Sequence, residues 1–268
     1  MDTDWLEKNI NQVKVIDCSW HMPAENRNAE EEFNNEHIPN AIFFDLDKNS
    51  KNNTDLPHML PSLSDWNKIV SNLGISKDDQ IIIYDNSNVI SSCRCWYNFI
   101  YFGHDPKLVS VLDGGLRKWK QENKKISKEV IKFTKTNYEG EELISLVKDK
   151  NNIDLNISEK EFVVVDARSK ERFEGKEKEP RKGLRSGSIP NSLCLPFKEL
   201  INANDNTFKN KTEISKKFEE IINISENNRV FSCGSGITAC VLSLAYSLVN
   251  NTYSPTVYDG SWAEYGKL

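Results

Sequence analysis

Residues 230–240 of this 268-residue chain read VFSCGSGITAC, which sets Cys233 in a glycine-bearing turn between an apolar run and a helical stretch. Gly234 and Gly236 open backbone conformations closed to other residues, so successive N–H groups can turn inward around the sulfur. Such a ring of amides favours an anion, and the helix expected to start at Thr238 adds the positive end of its dipole. Thiols placed in this way ionise at roughly pH 3.5 to 7.5, below their ordinary value of about 8.5. The expected species is therefore a resting thiolate nucleophile, which requires a side chain that is ionised at neutrality and open to solvent. The competing reading is an inert cysteine buried before a tight turn. Two glycines and a threonine in so short a stretch favour the reactive one.

The elements that would hold this turn can be read on either side of it. Short β-rich runs at 15–17, 81–85, 109–112, 162–166, 230–232 and 256–258 alternate with helical stretches. This alternation predicts an α/β fold with a mainly parallel sheet flanked by helices in each half. The halves repeat one another. VIDCSW at residue 15 resembles VVDARS at 164, so that Asp17 falls on Asp166, 149 residues on (166 minus 17). HIPNAIFFDL and SIPNSLCLPF start at His37 and Ser188, a spacing of 151 (188 minus 37). LDGGLRKW and YDGSWAEY start at Leu112 and Tyr258, a spacing of 146 (258 minus 112). Three blocks at near-equal spacing mean two copies of one unit. IIIYD in the first copy then falls on RVFSC in the second, and Asp85 stands where the second copy has its thiol. The expected organisation is an inactive domain at 1–138 and a catalytic domain at 139–268, each of about 130 residues and large enough to bury its own core.

Composition limits the partners. A formal net charge of −5 argues against a nucleic-acid footprint. The lysines between 118 and 135 read as the solvated face of a wrapping linker at 121–156 with few aromatic anchors. The acidic N-terminal segment MDTDWLEKNI lacks the apolar core of a signal peptide, and no run is long enough to span a bilayer. Six cysteines in so long a chain do not suggest a disulfide scaffold, so a reducing cytoplasm and free thiols are expected. Cys93 and Cys95 beside Trp96 and Tyr97 have poor spacing for a metal and read as packing residues. Cys18, Cys194 and Cys240 read as buried, and His21, His37 and His104 as structural.

CGSGIT, the paired DGG and DGS-W blocks, the HIPNA and SIPNS pair and the PHMLP segment at 57–61 together resemble the tandem rhodanese-domain sulfurtransferases, and within them the 3-mercaptopyruvate branch, nearly end to end. The resemblance implies two tandem rhodanese-like domains and a sulfur transfer that proceeds through a persulfide on Cys233. It implies 3-mercaptopyruvate as donor, release of pyruvate, a thiophilic acceptor (thioredoxin, a small thiol or cyanide), and no metal or organic cofactor. It further implies that Arg172 and Arg181 grip the donor carboxylate and that Gly234, Gly236, Ile237 and Thr238 line the donor site. By the same resemblance Asp47, His58 and Ser235 form a hydrogen-bonded relay. The electrostatics agree with this branch. Thiosulfate is a dianion that basic loop side chains would favour, whereas Gly234 and Ser235 are neutral.

Two departures from the family pattern stand out. Ser188 occupies a position usually held by histidine, and Asp17-Cys18-Ser19 replaces the usual Asp-Ala-Arg of the first copy. Within the enzyme reading the rival is thiosulfate:cyanide transfer. Outside it, a noncatalytic binding or redox-sensing module remains open, while a cysteine phosphatase would need an arginine at position 239, which is alanine.

Overall fold

In the computed structural model residues 1–222 and 228–268 are described. They form two compact units. The first comprises Met1–Asn52, Leu60–Leu143 and Ala203–Thr207, and the second Asn53–Met59, Ile144–Asn202 and Phe208–Leu268.

The first unit holds β1 (Lys14–Asp17), β2 (Ala41–Phe43), β3 (Ile81–Tyr84) and β4 (Val109–Val111) in the order β2-β1-β3-β4, all parallel. Every residue of β3 is buried, as a central parallel strand without a solvent face requires. Its helices are α1 (Thr3–Asn9), α2 (Ala29–Asn35), α3 (Leu63–Asn72), α4 (Ser92–Tyr101) and α5 (Gly115–Gln121). Leu6 of α1, Phe33 of α2 and Leu116 and Trp119 of α5 pack on Val15, Ala41, Ile82 and Tyr84 to make one core. All ten residues of α4 are buried.

The second unit holds β5 (Val147–Lys148), β6 (Val163–Asp166), β7 (Leu193–Cys194), β8 (Arg229–Ser232) and β9 (Thr256–Tyr258) in the order β5-β9-β8-β6-β7, again all parallel. Its helices are α6 (Lys150–Glu159), α7 (Lys170–Phe173), α8 (Lys211–Glu219), α9 (Ile237–Asn250) and α10 (Ser261–Tyr265). Asp149 and Asn210 start α6 and α8 with reciprocal side-chain and backbone caps, which satisfy amide donors that have no partner inside the helix. The uncharged sequence ITACVLSLAYSLVN makes α9 a buried core helix.

The duplication extends to strand register. In the first unit Asp17 pairs with Phe43 and Tyr84, and in the second Asp166 pairs with Cys194 and Ser232. These are the positions that the sequence repeats align.

The 121–156 segment departs from expectation. Gln121 still belongs to α5 and Lys150 opens α6, so the stretch is shorter than its composition suggests. It is also anchored. Tyr138 is buried and stacks on His104, and Phe133 packs closely against Gly74 and beneath the Lys14 ammonium. Nor are its lysines uniformly solvated. Lys118 and Lys120 ride on α5, and the Lys124 side chain is only 8% exposed, with Asp4 and Glu7 at 2.6 and 2.9 Å. Among the described residues no helix is long and apolar enough to cross a membrane.

Candidate active site

β8 ends at Ser232 and α9 begins at Ile237, one residue earlier than Thr238, so residues 233–236 form the turn between them. Gly236 caps the helix with φ +80°, a conformation that side chains disfavour, and its N–H donates to Cys233 Sγ at 3.1 Å. Gly234 does not adopt left-handed backbone. Its value lies in what it leaves empty: a Cβ there would stand 3.2 Å from Arg172 Nη2 and 3.8 Å from Arg181 Nη1. The two arginines expected to bind a carboxylate thus lie against the backbone next to the thiol.

The start of α10 fixes this turn from the other side. Ser261, in left-handed backbone at φ +48°, accepts the Cys233 N–H with its Oγ at 3.1 Å and donates to Tyr258 O at 2.9 Å. The N–H groups of Trp262 and Ala263 donate to the carbonyls of Cys233 and Gly234, each at 2.9 Å. The DGS block was visible in the sequence as a repeat; nothing in it signalled that its serine holds the amide of residue 233.

Cys233 is only 2% exposed, so the open thiol expected from the sequence is not observed. The turn packs under α10 and its neighbours Ser235, Gly236 and Ile237 are buried too, while Gly234 is the turn residue left partly exposed. The exposed edge of the turn is thus Gly234, beside the arginines.

Ser235 is a point of convergence. Its Oγ lies 3.1 Å from His58 Nδ1 and receives Arg181 Nη2 at 3.3 Å. A guanidinium can only donate, so the serine oxygen accepts from Arg181 and its own proton is free to point to the imidazole. His58 is buried, in left-handed backbone at φ +59°. Asp47 belongs to the first unit, where it is exposed and accepts the Trp20 indole N–H at 3.0 Å.

A buried chain of charges leads to Arg172. Asp166, at the end of β6, accepts from Arg168 Nε and Nη2 at 2.9 and 2.7 Å. Arg168 Nη1 donates to Glu179 Oε1 at 2.7 Å, while Arg172 donates to the same carboxylate through Nη2 at 2.6 Å and Nε at 3.2 Å. Side-chain exposure is 1% to 2% for Asp166, Arg168 and Glu179 and 19% for Arg172. The Arg168 guanidinium lies 4.5 Å from the Trp262 ring centroid, and Arg185 lies 4.7 Å from it. Sequence reasoning missed Glu179, which sits among the alternating charges of RFEGKEKEPR.

The other cysteines follow expectation with one exception. Cys18, Cys93, Cys95 and Cys240 are buried, and Cys194 is half-buried, where burial pushes its thiol up to about 12. All six are free. His37 and His104 bond to backbone carbonyls, as structural histidines do. Among the described residues no group of three or more His, Cys, Asp or Glu side chains could hold a metal ion.

Known proteins resemble the chain along its whole length. It is 37% identical to the 3-mercaptopyruvate sulfurtransferase of Mus musculus, over 96% of this chain and 86% of that one. It is 36% identical to thiosulfate/3-mercaptopyruvate sulfurtransferase 1, mitochondrial, of Arabidopsis thaliana, over 99% of this chain and 75% of that one. The crystal structure of a 3-mercaptopyruvate sulfotransferase from Escherichia coli superposes with a TM-score of 0.86 at 30% identity, covering 98% of both chains. The rhodanese-like domain model matches residues 2–122 and again 149–268. With the strand order β2-β1-β3-β4 repeated as β7-β6-β8-β9 and a thiol in the turn after the central strand of the second sheet, the chain belongs to the rhodanese-like domain family.

Proposed function

We infer that this protein is a sulfurtransferase that takes sulfur from 3-mercaptopyruvate onto Cys233 and passes it to a thiophilic acceptor. The observation that carries the donor is the uncharged CGSG turn with Arg172 and Arg181 lying against Gly234. A planar guanidinium fork suits a carboxylate, and a turn without basic side chains of its own suits a donor whose reacting end is a thiol beside a carbonyl. The relatives named above carry 3-mercaptopyruvate in their names, the Arabidopsis thaliana one together with thiosulfate.

In the first half-reaction the Cys233 thiolate attacks the donor sulfur and a sulfur–sulfur bond forms. The carbon–sulfur bond breaks and its electron pair leaves as the enolate of pyruvate. The proton first held by the donor thiol ends on the methyl carbon, so the products are a Cys233 persulfide anion and pyruvate. The enolate needs a proton source and hydrogen-bond donors nearby. Ser235, which meets both Arg181 and His58, is proposed to supply both. In the second half-reaction a thiol or cyanide takes the outer sulfur and Cys233 returns to its thiolate, giving double-displacement kinetics. Thioredoxin is the proposed cellular acceptor. The second unit is proposed to carry the chemistry and the first to be inert, since Asp85 stands at the thiol's position. Six cysteines outside any disulfide support a reducing compartment, proposed as the cytoplasm.

Mass spectrometry after addition of donor alone should find one added sulfur on the peptide containing Cys233. In steady state kcat/KM should strongly favour 3-mercaptopyruvate. Comparable values for 3-mercaptopyruvate and thiosulfate, or a sulfur located elsewhere, would defeat the assignment.

A further inference from the structure

We propose that Glu179 is a specificity-determining residue: its buried carboxylate cancels the charge of the Arg172 subsite and thereby selects a monoanionic donor over a dianionic one. This rests on the donor reading above and goes beyond it by naming what sets the charge of the site.

Glu179 is not at the surface of the turn, and its contacts are to guanidiniums. One oxygen is shared by Arg168 Nη1 and Arg172 Nε, and the other takes Arg172 Nη2. Asp166 and Arg168 close the chain behind it. Two carboxylates and two guanidiniums make the chain formally neutral. Glu179 also occupies the Nε edge of the Arg172 fork. What Arg172 can offer a donor is the remaining Nη edge, with Nη2 against Gly234, on a side chain that is 19% exposed as a whole. Arg172 therefore presents directed N–H donors with its own charge balanced, which leaves Arg181 as the cation beside Gly234. A carboxylate is satisfied by that geometry. A dianion such as thiosulfate would draw about twice the attraction per unit of added positive charge, and Glu179 removes one such unit in a buried setting where charge is weakly screened.

Two variants separate charge from shape. Glu179→Gln keeps the size and hydrogen-bonding oxygen and leaves the chain one unit positive, while Glu179→Asp keeps the charge and shortens the reach. Both, with the unaltered protein, are assayed with 3-mercaptopyruvate and with thiosulfate, cyanide being the acceptor, and their thermal melts are recorded. In Glu179→Gln the ratio of kcat/KM for thiosulfate to that for 3-mercaptopyruvate should rise about tenfold or more, carried by KM. In Glu179→Asp the KM for 3-mercaptopyruvate should rise while that ratio stays within about twofold. A residue that merely braces the fold would lower both donors in proportion in both variants and leave the ratio unchanged, and that result overturns the proposal. So does an equal change of ratio in the two variants. If the unaltered protein fails to turn over 3-mercaptopyruvate, the donor reading itself has failed, a result distinct from either.

Discussion

After β3 the first unit places Asp85, and after β8 the second places Cys233, in sheets of matching register. The surroundings have diverged as far as the residues. Asp85 fills its own turn, its carboxylate accepting the N–H groups of Ser87 and Ser92 at 2.8 and 2.9 Å. Gly115 presses so close that a Cβ there would lie 2.3 Å from Asp85 O, and the N–H of Leu116 reaches that carbonyl at 3.0 Å. In the second unit the matching Ser261 carries a side chain, which holds the Cys233 amide, and Trp262 takes the part of Leu116. The ends of β1 and β6 diverge likewise. Asp17 meets the hydroxyl and amide of Ser19 and the Tyr84 hydroxyl, while Asp166 meets the Arg168 guanidinium and the chain that runs on to Arg172. The lesson is that one scaffold accommodates two sets of side chains: after β3 a short carboxylate accepts the turn amides, and after β1 a hydroxyl donates to Asp17 where a guanidinium donates to Asp166.

Exchanging features of the two units tests this. The largest effect expected is from Cys233→Ser, which should remove sulfur transfer altogether, with no added mass on incubation with donor. Arg168→Gln comes next. It strands Asp166 in a buried site and leaves Glu179 to Arg172 alone, and the second unit should lose about 3–5 kcal/mol by chemical denaturation, where the comparable loss of Ser19 in the first unit strands no charge pair.

A third test uses pH. Burial pushes Asp17 up from 3.8 to about 6, and it raises Asp85 as well. A carboxyl raised on folding contributes stability that is complete below pH ~4 and lost as pH climbs through about 6. The first unit should therefore lose up to about 3 kcal/mol across that window, and Asp17→Asn should flatten the loss. A denaturation series from pH 4 to 7 in which the variant keeps the full slope would show that another group is responsible. The smallest effect expected is that of Asp85→Asn, which should leave kcat for sulfur transfer within about twofold. A larger fall would show that the first unit is not a bystander.

Much of the fold was legible because duplication and buried parallel strands leave strong marks. IIIYD and RVFSC are apolar runs that only central strands require, and their alignment through the repeats foretold the register. β2, β5 and β7 were harder, since strands of two or three residues carry no period. At the candidate site the sequence pointed to Cys233, Ser235, His58, Arg172 and Arg181, and the structure gathers His58 and Arg181 at Ser235 and both arginines at Gly234. It could not show Glu179 or Ser261, because their roles arise from contacts made across the fold by residue types that are common on surfaces. Gly234 was singled out for the wrong reason. Its backbone is ordinary, and clearance for two guanidiniums is what excludes a side chain.

The depth of the Asp166–Arg168–Glu179 cluster has a consequence for ionic strength. Dissolved ions do not reach side chains that are 1% to 2% exposed, so the framework behind Arg172 is insulated from added electrolyte. The outer edge of Arg172 is not. Added potassium chloride should slow capture of the anionic donor while the melting temperature of the second unit holds steady, so that recognition and architecture respond to the solvent independently.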